Sequence, residues 1–240
     1  RYKGGLSAIR TDDLAALPLK HLIAEYPQLA GHIDEVILGC ANQSGEDNRN
    51  VARMATLLAG LPETTPALTV NRLCASGLEA IGQGARAIAL GEADVILAGG
   101  VESMSRAPYV MAKAAVGFDR GQQLEDTTLG WRMINPKMRA AYGVDSMAQT
   151  AENLAGHFGI GREDQDAFAF RSQQRAARAI ADGVLEDEIL PAGTLSRDEH
   201  PRADTTREKL AELKPITGAD GTITAGNASG LNDGSAALLL

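Results

Sequence analysis

From Leu68 to Gly99 the chain reads as strand, helix, strand. A β-branched run (Leu68-Thr69-Val70) leads into a helical pattern over Gly77–Leu90, and Gly91 closes it before the apolar run Asp94-Val-Ile-Leu-Ala-Gly99. A helix between two strands makes a parallel crossover, not a hairpin. One right-handed βαβ unit is therefore predicted. Glu35–Gly39, Val51–Ala59 (stopped by Gly60 and Pro62) and Leu68–Asn71 repeat the pattern one unit earlier. Together they specify an α/β fold: a mixed sheet with parallel βαβ units covered by helices. In the Gly77–Leu90 helix, Leu78, Ile81, Ala85 and Ile88 share one face. Gly82, Gly84, Ala80, Ala87 and Ala89 keep the rest narrow, at about 1 kcal/mol per Gly relative to Ala. Tight packing on more than one side is the expectation that offsets this cost.

Elsewhere the pattern is less regular. Residues 12–26 carry helical spacing, with Pro18 best placed in the first turn of a helix Pro18–Tyr26. Ala41–Asn50 is a polar loop. After Gly100 sustained periodicity is lost until helices over Ser146–Phe158 and Arg162–Asp182. Glu188–Pro191 reads as a strand, and residues 195–214 as a mixed-charge run. Gly221–Gly234 leads into Ser235–Leu240, which reads as a buried strand. Strands on either side of a helical stretch imply an insertion into one sheet. The expected division is a first α/β part at 1–100, an inserted, mainly helical loop domain at 101–220, and a return strand at 221–240. The chain opens on Arg1 without Met and stops inside an apolar run, so a fragment of a longer protein is expected.

Composition excludes some functions. A net charge of −8 argues against non-specific binding to nucleic acid or an anionic membrane. No apolar run approaches the ~18 residues of a membrane span, and no secretory signal is visible. A cytoplasmic chain with reduced thiols at Cys40 and Cys74 follows, with a Cys40–Cys74 disulfide as the alternative. His21, His32, His157 and His200 stand apart and no metal-ligand spacing occurs, so no metal site is expected. Nucleotide-loop and nucleophile-elbow patterns are also absent. One feature remains. Cys74 falls at a strand-to-helix corner, where the positive end of a helix favours the nucleophilic thiolate. Ala75, Ser76 and Gly77 leave room for a ligand to approach. From position alone, a buried structural Cys is an equal alternative.

Three segments carry a specific resemblance: Asn71-Arg-Leu-Cys-Ala-Ser-Gly77, Ala98-Gly-Gly-Val-Glu-Ser-Met-Ser105 and Thr224-Ala-Gly-Asn-Ala-Ser-Gly-Leu-Asn-Asp-Gly234. In wording and spacing they resemble the thiolase family of acyl-CoA acyltransferases, over the N-terminal half and the inserted loop domain. Gly45-Glu-Asp-Asn-Arg-Asn-Val-Ala-Arg-Met54 and Thr127-Thr-Leu-Gly-Trp-Arg132 look most like the 3-oxoadipyl-CoA thiolases of aromatic degradation.

The resemblance implies a thiolase-like layered fold and a role for each matching position. Cys74 matches the acyl-accepting nucleophile, and its backbone N–H one oxyanion donor. Met147 matches a Met lining the acyl and pantetheine pocket. Its neighbour Ser146 stands where the family has His. Arg202 falls where an Arg packs on the adenine and phosphates of coenzyme A. Leu213, Ile216, Ala225 and Ser229 fall at other coenzyme A contacts. Read without the resemblance, Arg202 is a solvated charge and Ser229 a turn serine. The implied reaction is thiolysis of a 3-oxoacyl-CoA through a Cys74 acyl-enzyme. Coenzyme A is then a substrate, no cofactor is needed, and a homodimer or homotetramer is implied. The family's activating His, water-positioning Asn and second Cys belong to a C-terminal domain outside this chain. Acetoacetyl-CoA thiolase, a ketosynthase, and a non-catalytic fragment that binds coenzyme A or a partner are the alternatives.

Overall fold

The apolar positions of residues 35–39 decide where the sheet sits. The computed structural model describes residues 1–240, and its contacts form two units. The first comprises 1–129, 190–195 and 232–240. In it lie α1 (Thr11–Glu25), β1 (Glu35–Gly39), α2 (Val51–Ala59), β2 (Ala67–Val70), α3 (Ser76–Ala89), β3 (Ile96–Ser103), β4 (Tyr109–Met111), β5 (Leu124–Asp126) and β6 (Asp233–Leu239). The main sheet has the order β2-β1-β3-β6. Ile37 pairs in parallel with Leu68 on one side and Ala98 on the other, while Gly99 pairs antiparallel with Ala237. The α3 crossover thus straddles β1. Because β1 is covered on both faces, it reads as a continuous apolar run. Val36 and Leu38 face the core made by Leu14, Ala15, Leu19, Val51 and Ala55 of α1 and α2. Ile37 faces Ala80 of α3. Burying one such side chain contributes about 1.5–3 kcal/mol.

Local signals set the ends of α2. The Asn50 side chain caps the helix by accepting from Arg53 N–H at 3.2 Å, and it also accepts from Thr69 Oγ1 at 2.8 Å. That pair ties the start of α2 to β2. Gly60, at φ 87°, ends the helix in the left-handed region.

Four expectations are corrected. Pro18 does not begin a helix; it lies inside the continuous α1. It forgoes one backbone bond there, and burial of Leu14, Ala15, Ala16 and Leu19 on both sides carries the helix through. The predicted face of α3 is also divided. The buried stripe is Ser76, Ala80 and Gly84, whereas Leu78 is 73% exposed and Ala85 is exposed as well. Small residues win because they bring the helix close to the sheet: a Cβ on Gly84 would stand 3.1 Å from Ile96 Cγ2. The helix packs on that one side. Glu188–Pro191 is no strand; Glu186–Glu188 makes a 3₁₀ turn, and a single bridge forms later between Ala192 and Leu195. Finally, β6 is an edge strand with alternating burial, and its Leu238 is 43% exposed.

The divide between the units falls at Leu129 and Gly130. Residues 101–129 stay with the sheet because side chains hold them there. Arg106 Nε donates to Glu46 Oε2 at 2.6 Å, and Asn42 Nδ2 donates to the Thr127 carbonyl at 3.3 Å.

The second unit, 130–189 with 196–231, holds α4 (Pro136–Tyr142), α5 (Met147–Phe158), α6 (Arg162–Ala181) and α7 (Arg207–Ala211). Ser146 caps α5 by accepting from Gln149 N–H. Glu163 and Asp164 in the first turn of α6 and Arg178 in its last turn match the helix dipole. Its buried apolar residues are small in number: Ala155, Leu210 and Ile223. Beside them Asp166 and Thr224 are buried too. Polar anchors therefore carry much of the local order. No helix of the chain is long and apolar enough to cross a membrane.

Candidate active site

The corner between β2 and α3 is built from its own polar groups. Asn71 Nδ2 donates to the Ala41 carbonyl at 2.9 Å, and Asn71 Oδ1 accepts from Leu73 N–H at 3.0 Å. Ser76 closes the turn from the helix side: its Oγ accepts from Arg72 N–H at 2.8 Å and donates to the Leu73 carbonyl at 2.6 Å. Leu73 sits at φ 51°, a left-handed conformation uncommon outside Gly. This sharp turn leaves Cys74 exposed, with a free thiol, two residues ahead of the first helical residue. The corner's hydrogen bonds use the N–H groups of Arg72, Leu73, Ala75 and Ser76 and leave out that of Cys74. Gly39, at the end of β1, supports the arrangement. A Cβ there would stand 2.5 Å from the Gly77 nitrogen, so only Gly lets the start of α3 come this close.

Charge around the corner is balanced. Glu79 lies between Arg72 at 3.1 Å and Arg86 at 3.0 Å. Its carboxyl is held below the ordinary range first by the Gln83 hydrogen bond and then by the two guanidinium groups. The other cysteine is different in kind. Cys40 is buried, and burial, reinforced by Glu102 and Asp47, pushes its thiol well above the ordinary value. The two cysteines are free, not bridged.

Cys40, Asp47 and Glu102 bring one ligand atom each within 4.8 Å of one another. Backbone groups already use the carboxylates. Glu102 accepts from Ala41 and Asn42 N–H, and Asp47 accepts from Gln43 and Gly45 N–H. The cluster shapes the loop that receives Asn71.

The other sequence-selected residues lie in the second unit. Met147 opens α5 and is 64% exposed. Arg202 is exposed; its N–H donates to Gln173 Oε1 at 2.8 Å, which lays this segment on α6. Leu213, Ile216 and Ala225 come together through chain pairing. Pro215 bridges Thr224, and Ile216 N–H donates to the Ile223 carbonyl at 2.9 Å. Leu213 packs beside Gly226. Ser229 is exposed and precedes Gly230, whose Cα faces the His200 ring so closely that no side chain fits. Sequence reading missed the residues that hold these two groups: Gly39 and Ser76 at the corner, and Glu152, Asp166 and Asn227 in the second unit. A Ser two residues after the Cys, at the start of a helix, was the one local signal available.

Comparison with known proteins adds the following. The model of the thiolase N-terminal domain matches residues 1–240. The β-ketoadipyl-CoA thiolases of Pseudomonas knackmussii and Acinetobacter baylyi are 60% and 59% identical over this whole chain. The acetyl-CoA acetyltransferase of Pseudomonas aeruginosa is 46% identical. The chain spans 62% of the length of each of these relatives. Among solved structures, human mitochondrial 3-ketoacyl-CoA thiolase in complex with CoA is similar with a TM-score of 0.88 at 38% identity. That match covers 99% of this chain and 60% of the human one. The Bacillus anthracis acetyl-CoA acetyltransferase has a TM-score of 0.85, also at 38% identity, over 99% of this chain and 61% of its own.

Proposed function

Because the chain belongs to the thiolase family through its N-terminal domain, we propose that Cys74 is the acyl-accepting nucleophile of an enzyme that cleaves 3-oxoadipyl-CoA. The single observation that carries this reading is the exposed Cys74 thiol at the mouth of α3. The thiolate attacks the 3-keto carbon, and the C2–C3 bond breaks. The succinyl group stays on sulfur as a thioester. Acetyl-CoA leaves as an enolate and takes a proton. Coenzyme A then collects the succinyl group, giving succinyl-CoA and returning the thiol. Splitting one hard step into two predicts ping-pong kinetics. The Cys74 N–H, left out of the corner's hydrogen bonds, is placed in the role of an oxyanion donor, a contribution of about 3 kcal/mol. By resemblance, the base that ionises Cys74 and the acid that protonates the enolate are residues outside these 240.

In the second unit, Met147, Arg202, Leu213, Ile216, Ala225 and Ser229 are assigned to coenzyme A. The exposure of all six, with Ile216 and Ala225 on the segments paired through Pro215 and Thr224, supports that reading. The substrate assignment is supported by the greater similarity to β-ketoadipyl-CoA thiolases than to acetyl-CoA acetyltransferase, 60% against 46%. Assembly as a homodimer or homotetramer is part of the same proposal.

The experiment is acid quench of the active enzyme after mixing with 3-oxoadipyl-CoA or acetoacetyl-CoA, followed by peptide mass spectrometry. A succinyl adduct on Cys74, formed in competition against acetoacetyl-CoA, is the expected result. An acyl adduct of normal yield in Cys74→Ala overturns the nucleophile. Preference for acetoacetyl-CoA moves the substrate to the acetyltransferase class. Coenzyme A binding with no acyl adduct at all identifies a non-catalytic binding chain.

A further inference from the structure

Glu152 stands on α5, in the turn after Met147, and gathers an unusual number of donors. Thr217 Oγ1 donates to it at 2.6 Å, Thr222 Oγ1 at 2.7 Å, Thr222 N–H at 2.9 Å and Ile223 N–H at 3.1 Å. Every one of these donors comes from a single hairpin. That hairpin is closed at its base by the Pro215–Thr224 bridge and the Ile216–Ile223 hydrogen bond. That base is tied in a second way. Asn227 accepts from Thr224 N–H at 2.7 Å and donates to the Thr222 carbonyl and to Asp166 Oδ1. Asp166 holds Arg162 at 2.7 Å, and Arg162 Nη2 donates to the Leu210 and Leu213 carbonyls.

The apolar core of this unit is too small to fix a loop by packing, so these hydrogen bonds set its position. Met147, Ile216 and Ala225 are all carried by segments that end on Glu152 or on its hydrogen-bonded neighbours. None of the residues assigned to coenzyme A bonds to Glu152 itself. The bonds from Thr217, Thr222 and Ile223 to the carboxylate tie the hairpin that carries Ile216 to α5, which carries Met147. The hydroxyl donors from Thr217 and Thr222, followed by the backbone donors, keep that carboxyl ionised down to about pH 2.

We propose that Glu152 is the positioning residue of the coenzyme A-binding hairpin, setting affinity for coenzyme A without touching it. This rests on the function proposed above. The second half-reaction reads the effect directly, because ping-pong kinetics give coenzyme A its own KM. In Glu152→Gln one acceptor oxygen becomes an amide donor that faces other donors. The expected result is a rise of about tenfold in KM for coenzyme A, the loss typical of one hydrogen bond to a charged group. The KM for 3-oxoadipyl-CoA, which carries the same coenzyme A moiety, should rise with it, while the yield of the Cys74 adduct and its rate of formation at saturating substrate should stay at the unsubstituted level. Thr217→Val, which removes one donor and leaves the carboxylate, should raise the same KM by about threefold. An unchanged KM for coenzyme A in Glu152→Gln overturns the proposal. A parallel loss of kcat, acylation and thermal stability also overturns it, in favour of general support. If Glu152→Gln does not fold, Thr217→Val decides by the same reading. Absence of any Cys74 adduct in the unsubstituted protein overturns the underlying function. A normal adduct with an unchanged KM overturns only the role of Glu152.

Discussion

The backbone nitrogen of Gly77 lies 2.5 Å from where a Cβ on Gly39 would stand. Residues far apart in sequence thus meet backbone to backbone, and the start of α3 rests on the end of β1. A methyl group at residue 39 has no flexible side chain to push aside. Gly39→Ala should destabilise the first unit by about 1–3 kcal/mol, the usual range for overpacking. It should also shift the Cys74 corner. Thermal unfolding and the rate of Cys74 labelling check this, and an unchanged labelling rate would separate the corner from its support.

The two thiols should differ sharply in reactivity. Cys74 is exposed, while Cys40 is buried with its thiol pushed up by burial and by Glu102 and Asp47. A water-soluble disulfide reagent should label one thiol in the folded protein and both in denaturant. Peptide mapping should find the fast label on Cys74. Labelling of Cys40 at a similar rate would mean that the first unit opens readily.

Ser76 is expected to matter more than an exposed corner serine. Its hydroxyl accepts from Arg72 N–H and donates to the Leu73 carbonyl, and so holds Leu73 in its left-handed conformation. Ser76→Ala removes both bonds at a buried position, at a cost of about 1–3 kcal/mol. Acylation of Cys74 should slow along with it. Ser76→Thr keeps the hydroxyl and should recover part of the loss. Equal behaviour of the Ala and Thr variants in chemical denaturation would rule out a role for the hydroxyl.

Acid should loosen the second unit through Glu152. Its folded pKa of about 2 lies below the ordinary 4.5, so the carboxylate is favoured in the folded chain. The stabilisation is complete above pH 4.5 and is lost as pH falls from there toward 2. Hydrogen exchange at Thr222 and Ile223 should accelerate across that window. Glu152→Gln should show no such step. A step of the same size in the variant would assign the acid response to another group.

Local pattern was enough for β1 and α2, whose ends at Gly39 and Ala59 follow from apolar runs bounded by loop residues and Gly60. It failed where packing overrode it. Pro18 reads as a boundary, yet buried neighbours on both sides carry α1 through it. In α3 the large residues suggested the buried face, but close approach to the sheet selected Ser76, Ala80 and Gly84. The Cys74 corner was legible because the cysteine, its turn and the helix start are contiguous. Glu152 was not, since its donors lie at Thr217, Thr222 and Ile223 and nothing around residue 152 announces them.

The antiparallel register of β6 on β3, from Leu97 with Leu239 to Ser103 with Asp233, has a bearing on how the protein is made. The whole second unit is synthesised between these two strands. On the ribosome the outer edge of β3 must wait, unpaired, until all of that chain has emerged, and a waiting strand edge is a site for mispairing. The entropy of closing such a loop rises only with the logarithm of its length. Insertions into the second unit should then alter folding speed little, whereas a pause in translation just before residue 233 should favour aggregation.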